Sequence, residues 1–191
     1  MRRLSITVVT LLLVLVGCTT GAGDSAGGGP SGSGDALLAR YDVTGLSAAQ
    51  IIDRLEALDA GDRPSELMAS VRVDELQLSD EQGELSMRLP EDRFYLSVAP
   101  YVEDTHECFH HSLTTCTGEL GGEEISVTVT DDRGNVLVED DTTVSDNGFT
   151  GLWLPRDVEG TVRVAHDGHA GTIEFSTNED SATCLTTLRL T

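Results

Sequence analysis

The stretch Glu124-Ile125-Ser126-Val127-Thr128-Val129-Thr130-Asp131-Asp132-Arg133-Gly134-Asn135-Val136-Leu137-Val138 decides the fold class. Apolar residues fall at every second position from Ile125 to Val129, so an extended chain here has one apolar face and one polar face. The Asp131-Asp132-Arg133-Gly134 run is turn chemistry: aspartates hydrogen-bond their own backbone, and glycine supplies a left-handed residue without steric cost. A second apolar run follows at Val136, which predicts two strands joined by a tight reversal.

The pattern repeats in both directions. Towards the C-terminus, the turn signal Asn147-Gly148 precedes a strand over Phe149–Leu154. Strands over Thr161–His166 and Ala170–Phe175 flank the turn Asp167-Gly168-His169, and Thr183–Leu190 is the last strand. Towards the N-terminus, Glu75–Ser79 and Glu84–Leu89 alternate around Asp80-Glu81-Gln82-Gly83. Phe94–Val102 is a further strand; its Pro100 lacks an N–H and points to an edge or a bulge. Many short strands at regular spacing imply a sandwich or barrel, with Trp153 packed inside it.

The chain upstream has a different period. Ser47 can cap a helix, Gln50 three residues on completes a capping box, and Leu46 can staple onto Ile51. Ile51, Ile52, Leu55 and Leu58 form a stripe at helical spacing, read as core or subunit packing, and Gly61 ends the helix. Ala36–Tyr41 suggests a helical turn, and Pro64 at a first-turn position suggests another helix. The fold class is therefore α+β: a small helical N-terminal region, then a mainly antiparallel β-sandwich-like domain. The expected division is an N-terminal helix and hairpin region at 35–90 and a β-rich body at 91–191.

The first residues read as export machinery. Arg2 and Arg3 precede an apolar run from Ile6 to Val16. At about eleven residues it is far short of the roughly 20 needed to span a bilayer, and it fits a signal-peptide core. Leu15-Val16-Gly17-Cys18 resembles a lipobox, which predicts a lipoprotein signal peptide over residues 1–17 and diacylation of Cys18. Residues 19–34 are rich in Gly and Ser and read, with Cys18, as a flexible tether. The expected location is the cell membrane, lipid-anchored on the extracytoplasmic face, with contact to lipid through the anchor only.

The sequence holds 12 Lys plus Arg against 33 Asp plus Glu, a formal net charge of −21. Such a surface repels phosphate backbones, which argues against nucleic-acid binding. No Ser/His/Asp set, phosphate loop or paired-carboxylate signal argues for an enzyme. Setting Cys18 aside leaves Cys108, Cys116 and Cys184. In an oxidising compartment cysteines pair by default, and three cannot all pair. An odd count means a free thiol, an intermolecular bridge or a site that uses three sulfurs.

The segment His106-Glu107-Cys108-Phe109-His110-His111-Ser112-Leu113-Thr114-Thr115-Cys116 brings two cysteines and three histidines together between two strands. Thiolate and imidazole are ligands that Cu(I) and Zn(II) prefer. The spacing of the two cysteines is also that of a simple loop-closing Cys108–Cys116 disulfide. Cys184, if the fold brings its strand beside the loop, would complete three thiolates, which suits trigonal Cu(I); structural zinc wants four ligands. His106, His110 and His111 are candidate auxiliary ligands, whereas His166 and His169 flank a turn and read as solvent-exposed.

These residues resemble the CueP family of exported copper-binding proteins. The likeness runs from about Asp35 to Thr191. Asp92-Arg93-Phe94-Tyr95-Leu96-Ser97-Val98-Ala99-Pro100-Tyr101-Val102, Cys108 with Cys116, Asp146-Asn147-Gly148-Phe149-Thr150-Gly151-Leu152-Trp153-Leu154-Pro155-Arg156, and Cys184 carry it. The resemblance implies Cu(I) held by Cys108, Cys116 and Cys184, copper tolerance, and supply of copper to an exported copper enzyme such as superoxide dismutase. It also implies a homodimer made through the N-terminal region. The lipobox and tether depart from a soluble periplasmic member. Two other readings use the same residues: a thiol redox protein that reduces Cu(II), and a surface module with a Cys108–Cys116 disulfide and no metal.

Overall fold

The computed structural model describes residues 30–191. The leader, the lipobox with Cys18 and the tether as far as Gly29 lie outside the described residues. The chain order is α1 (Pro30–Arg40), α2 (Ala48–Glu56), a 3-10 turn (Ala60–Asp62), β1 (Met68–Val71), β2 (Glu75–Asp80), β3 (Gly83–Arg88), β4 (Arg93–Tyr101), β5 (Glu124–Asp131), β6 (Val136–Thr143), β7 (Thr150–Pro155), β8 (Glu159–His166), β9 (His169–Ser176) and β10 (Cys184–Arg189). The fold is α+β, with helices confined to the N-terminal part.

The N-terminal layer is a three-stranded sheet, β1-β2-β3, covered by the helices. Helix α2 begins where its cap requires. The Ser47 hydroxyl accepts the Gln50 N–H at 3.3 Å, and the Gln50 side chain accepts the Ser47 N–H at 2.9 Å. Its apolar stripe buries Ile51, Ile52 and Leu55 among Leu37, Leu76 and Leu78. The helix stops at Glu56, five residues before Gly61. Helix α1 starts at Pro30, within the Gly- and Ser-rich stretch. Gly34 is buried against β3, where a Cβ would come within 2.9 Å of a Leu85 methyl; the missing side chain lets the helix lie close to the sheet. Pro64 opens no helix. It precedes a turn that leads into β1, a strand too short for alternation to reveal.

The body is a sandwich. A sheet ordered β10-β4-β7 faces a sheet ordered β6-β5-β8-β9. Phe94, Leu96, Val98, Leu152 and Leu154 from the first meet Ile125, Val127, Val129, Val162, Val164 and Phe175 from the second. The pairing is antiparallel except for β10, which runs parallel to β4. β4 is thus a central strand, and Pro100 sits there at a register shift between Leu185 and Leu188, where the ladder does not need its missing N–H. Tyr95 and Trp153 point to the other face of this sheet. Trp153 does not pack inside the sandwich: it meets Tyr95 edge-on at 4.9 Å and its indole N–H donates to Asp53 of α2 at 2.8 Å. The β10-β4-β7 sheet is therefore sandwiched in turn, with the second sheet on one face and the helical layer on the other.

Candidate metal centre

The cysteine loop runs from β4 to β5 and is fastened at several places along its length. At its entrance the Glu119 carboxylate accepts the N–H groups of Val102, Glu103 and Asp104 at 2.9, 3.0 and 3.1 Å. In its middle, His111 to Leu113 lies along β1: the Val71 N–H donates to the His111 carbonyl at 2.8 Å and the Leu113 N–H to the Ala69 carbonyl at 2.9 Å. Thr183 ties it to β10. The Thr183 N–H donates to the Phe109 carbonyl at 2.9 Å, while its hydroxyl accepts the His111 N–H at 3.0 Å and donates to the Val71 carbonyl at 2.7 Å.

These ties bring the three cysteines together. Cys184, at the head of β10, is 1% exposed; Cys108 and Cys116 are half-buried. Cys108 and Cys184, 76 residues apart in sequence, form a disulfide with Cα atoms 5.6 Å apart. Cys116 is the free thiol, and its Sγ is 3.6 Å from Cys108 Sγ. A local Cys108–Cys116 bridge is therefore not the one formed. Sequence distance misled here, because parallel pairing of β10 with β4 puts Cys184 next to the loop. Ala99 and Phe149 pack around the sulfurs in a small cluster of their own.

Two of the three loop histidines reach the sulfurs. A ring nitrogen of exposed His106 lies within 4.8 Å of Cys108 and Cys116, and one of buried His111 lies as close to Cys116 and Cys184. His110 belongs to neither group; it packs edge-on against Phe109 at 4.8 Å. Burial, then the nearby Arg72 charge, lowers its pKa.

His111 is the residue that the rest of the molecule organises. It is 0% exposed and packs 4.5 Å from the Phe149 ring. Its Nε2 lies 2.9 Å from Glu56 Oε2, off the line of a well-formed hydrogen bond. Glu56, at the end of α2, is 6% exposed and also accepts the Tyr95 O–H and the Asn147 amide N–H, both at 2.6 Å. Burial opposes ionisation of this carboxyl, but its contacts with His111, Tyr95 and Asn147 outweigh that and lower its pKa. The same competition acts on His111. Burial disfavours the cation, but the neighbouring Cys116 sulfur and the Glu56 carboxylate outweigh it and raise the pKa to about 8. Burial raises the Cys116 thiol, yet the His111 partner and the Ser112 N–H at 3.4 Å bring it below its usual value. Glu56, His111 and Cys116 thus influence one another's ionisation, and Arg63 lies alongside, donating to the Cys116 carbonyl at 2.7 Å.

Sequence reasoning passed over Glu56, Tyr95 and Arg63. Glu56 had left a signal: it follows Ile52 by four residues, so a carboxylate sits on the apolar face of α2, where an unpaired charge is not tolerated. Asn147 was read as turn chemistry, and it does accept the Phe149 N–H at 2.8 Å within a turn whose Gly148 has φ +83°. Its amide also holds Glu56, which no local pattern announces.

The donor set fits a soft metal ion. A thiolate–metal bond of about 2.3 Å puts the sulfurs of a trigonal site about 4 Å apart, close to the Cys108–Cys116 separation. All three sulfurs become available once the disulfide is reduced. Three cysteines and two histidines that meet where this loop touches β10 are a donor set that could hold a thiophilic ion. The comparisons narrow the class. A family described as "Periplasmic copper-binding protein CueP" matches residues 50–189. A solved structure described as "Crystal Structure of S.CueP" superposes with a TM-score of 0.79 at 41% identity, covering 83% of this chain and 98% of that one. No curated protein matches the sequence. The chain belongs to the CueP family of periplasmic copper-binding proteins.

Proposed function

We propose that this protein sequesters Cu(I) outside the cytoplasm through the thiolates of Cys108, Cys116 and Cys184, and passes it to an exported copper enzyme. The carrying observation is convergence: sulfurs from one loop and a distant strand meet, with a buried histidine beside them. Three soft donors suit Cu(I), and a three-sulfur site can open one position to an incoming ligand during transfer. Copper is the cargo and copper tolerance the benefit to the cell. His106 and His111 are auxiliary donors, with His110 further from the sulfurs. Cys18 anchors the protein by lipid to the extracytoplasmic face of the membrane, and the helical N-terminal part, residues 35–90, mediates a homodimer. Among the described residues no helix is long and apolar enough to cross a membrane.

Anaerobic titration of the reduced protein with Cu(I) tests this reading. About one copper per chain is expected, with tight binding lost in Cys184→Ser. An absence of tight copper with all thiols reduced refutes it.

A second reading is favoured by one observation, the presence of an oxidised pair inside the same cluster. Two Cu(II) ions would each take one electron from the Cys108 and Cys184 thiolates, giving two Cu(I) and the disulfide. Loss of two thiols for every two Cu(II) reduced is the expected stoichiometry.

A further inference from the structure

Cys116 lies against a disulfide to which it does not belong. Its Sγ is 3.6 Å from Cys108 Sγ and within 4.8 Å of Cys184 Sγ, so it is in contact with the disulfide but to one side of the bond axis, and a swing of its side chain brings it in line for attack on Cys108. The disulfide's other sulfur, on Cys184, is 3.9 Å from His111 Nδ1. A ring nitrogen of the same histidine lies within 4.8 Å of the Cys116 sulfur. One imidazole thus stands beside both the attacking and the departing sulfur.

We propose that the site has an internal disulfide-exchange activity, with Cys116 as nucleophile, Cys108 as the sulfur attacked and Cys184 as leaving group. The Cys116–Cys108 bond forms as the Cys108–Cys184 bond breaks, and the electron pair of the broken bond leaves on Cys184. One thiolate enters and one departs, so no electron or proton is gained or lost. Both isomers contain one disulfide and leave one sulfur beside His111. The exchange has a direction in space. Cys184 is sealed from water, whereas Cys108 and Cys116 are half-buried. The bond moves from a pair with one hidden sulfur to a pair that both reach the surface. The inference rests on the same cysteine cluster as the proposed copper site, but copper takes no part in it.

The test uses metal-free protein, oxidised and freed of oxidant. It is held anaerobically at about pH 8, near the ordinary thiol range, and then quenched in acid and denaturant. Acid halts exchange because the thiolate is the attacking species. Maleimide alkylation at acidic pH and peptide mass spectrometry then locate the free thiol. Label is expected on both Cys116 and Cys184, in a ratio constant with time, together with a Cys108–Cys116 linked peptide. Label on Cys116 alone overturns the proposal. Label on Cys108 overturns the assignment of the leaving group. In Cys116→Ser no free Cys184 is expected, and label persisting there means incomplete oxidation and also overturns it. The linked peptide in the unaltered protein decides the matter even if that variant does not fold. Copper titration of the reduced protein is independent of every one of these outcomes.

Discussion

Replacing Glu56 by Gln should destabilise the protein more at pH 6 than at pH 9. The substitution keeps the shape of the side chain and removes its charge. In the native protein His111 has a pKa of about 8, against about 6.5 for an unperturbed histidine. The folded pKa is raised, so the associated stability is fully present below about pH 6.5 and is lost as pH rises through about 8. A shift of that size corresponds to about 2 kcal/mol at pH 6 and almost nothing at pH 9. Cys116 and Glu56 share the credit, so Glu56 accounts for on the order of 1 kcal/mol of the pH-dependent part. A second loss, independent of pH over this range, comes from weakening the bonds donated by Tyr95 and Asn147, about 1.5–3 kcal/mol for each such bond to a charged group. Urea unfolding of the metal-free oxidised protein at both pH values measures the two parts. Proton NMR of the His111 ring, followed against pH, should show its pKa falling in the variant. Equal destabilisation at pH 6 and pH 9, with the His111 titration unmoved, would refute the ion-pair account.

Gly148→Ala should cost at least 1–3 kcal/mol in urea unfolding, because the residue has φ +83° and its Cβ would meet the Gly118 backbone. The same variant should weaken Cu(I) binding, since this turn presents Asn147 to Glu56. Ser47→Ala should cost about 1 kcal/mol by removing the cap of α2, while leaving copper stoichiometry in a titration unchanged. Tyr95→Phe should lower stability by about 1.5–3 kcal/mol, measured in the same way, because its hydroxyl is one of the donors to Glu56.

Much of the fold was written locally. Turns with glycine at positive φ, Gly134 at +85° and Gly168 at +81°, fall where the sequence signals them, and the strands on either side pair as hairpins. The Ser47–Gln50 capping box forms as its spacing demands. What escaped was non-local. β1 gains its identity from β2 and from the cysteine loop laid against it, not from its four residues. Pro100 is different: its missing N–H pointed to an edge or a bulge, and it sits at a register shift, past the last residue of β4 that pairs with β7. Trp153 alternates in phase with Tyr95, and only the presence of helices behind the sheet explains why an aromatic pair faces that way. The site divides likewise. The cysteines and histidines were legible by residue type. The pairing of Cys108 with Cys184 and the role of Glu56 depend on strand order and on which face of α2 meets the sheet.

The loop is sewn to β1 and to Thr183 by its own backbone, and this limits how the protein can be taken apart. A fragment beginning at β4 would retain every cysteine and histidine of the cluster. It would lack the Ala69 and Val71 groups that brace the loop, and with them Glu56 and Arg63. Such a piece would be a set of sulfurs with no fixed spacing and a histidine returned to ordinary basicity. The sandwich supplies the sulfurs and imidazoles, but the helical layer supplies their geometry and charge. The centre is therefore not a portable motif: it belongs to a seam, and grafting it onto another scaffold would mean transplanting both sides of that seam.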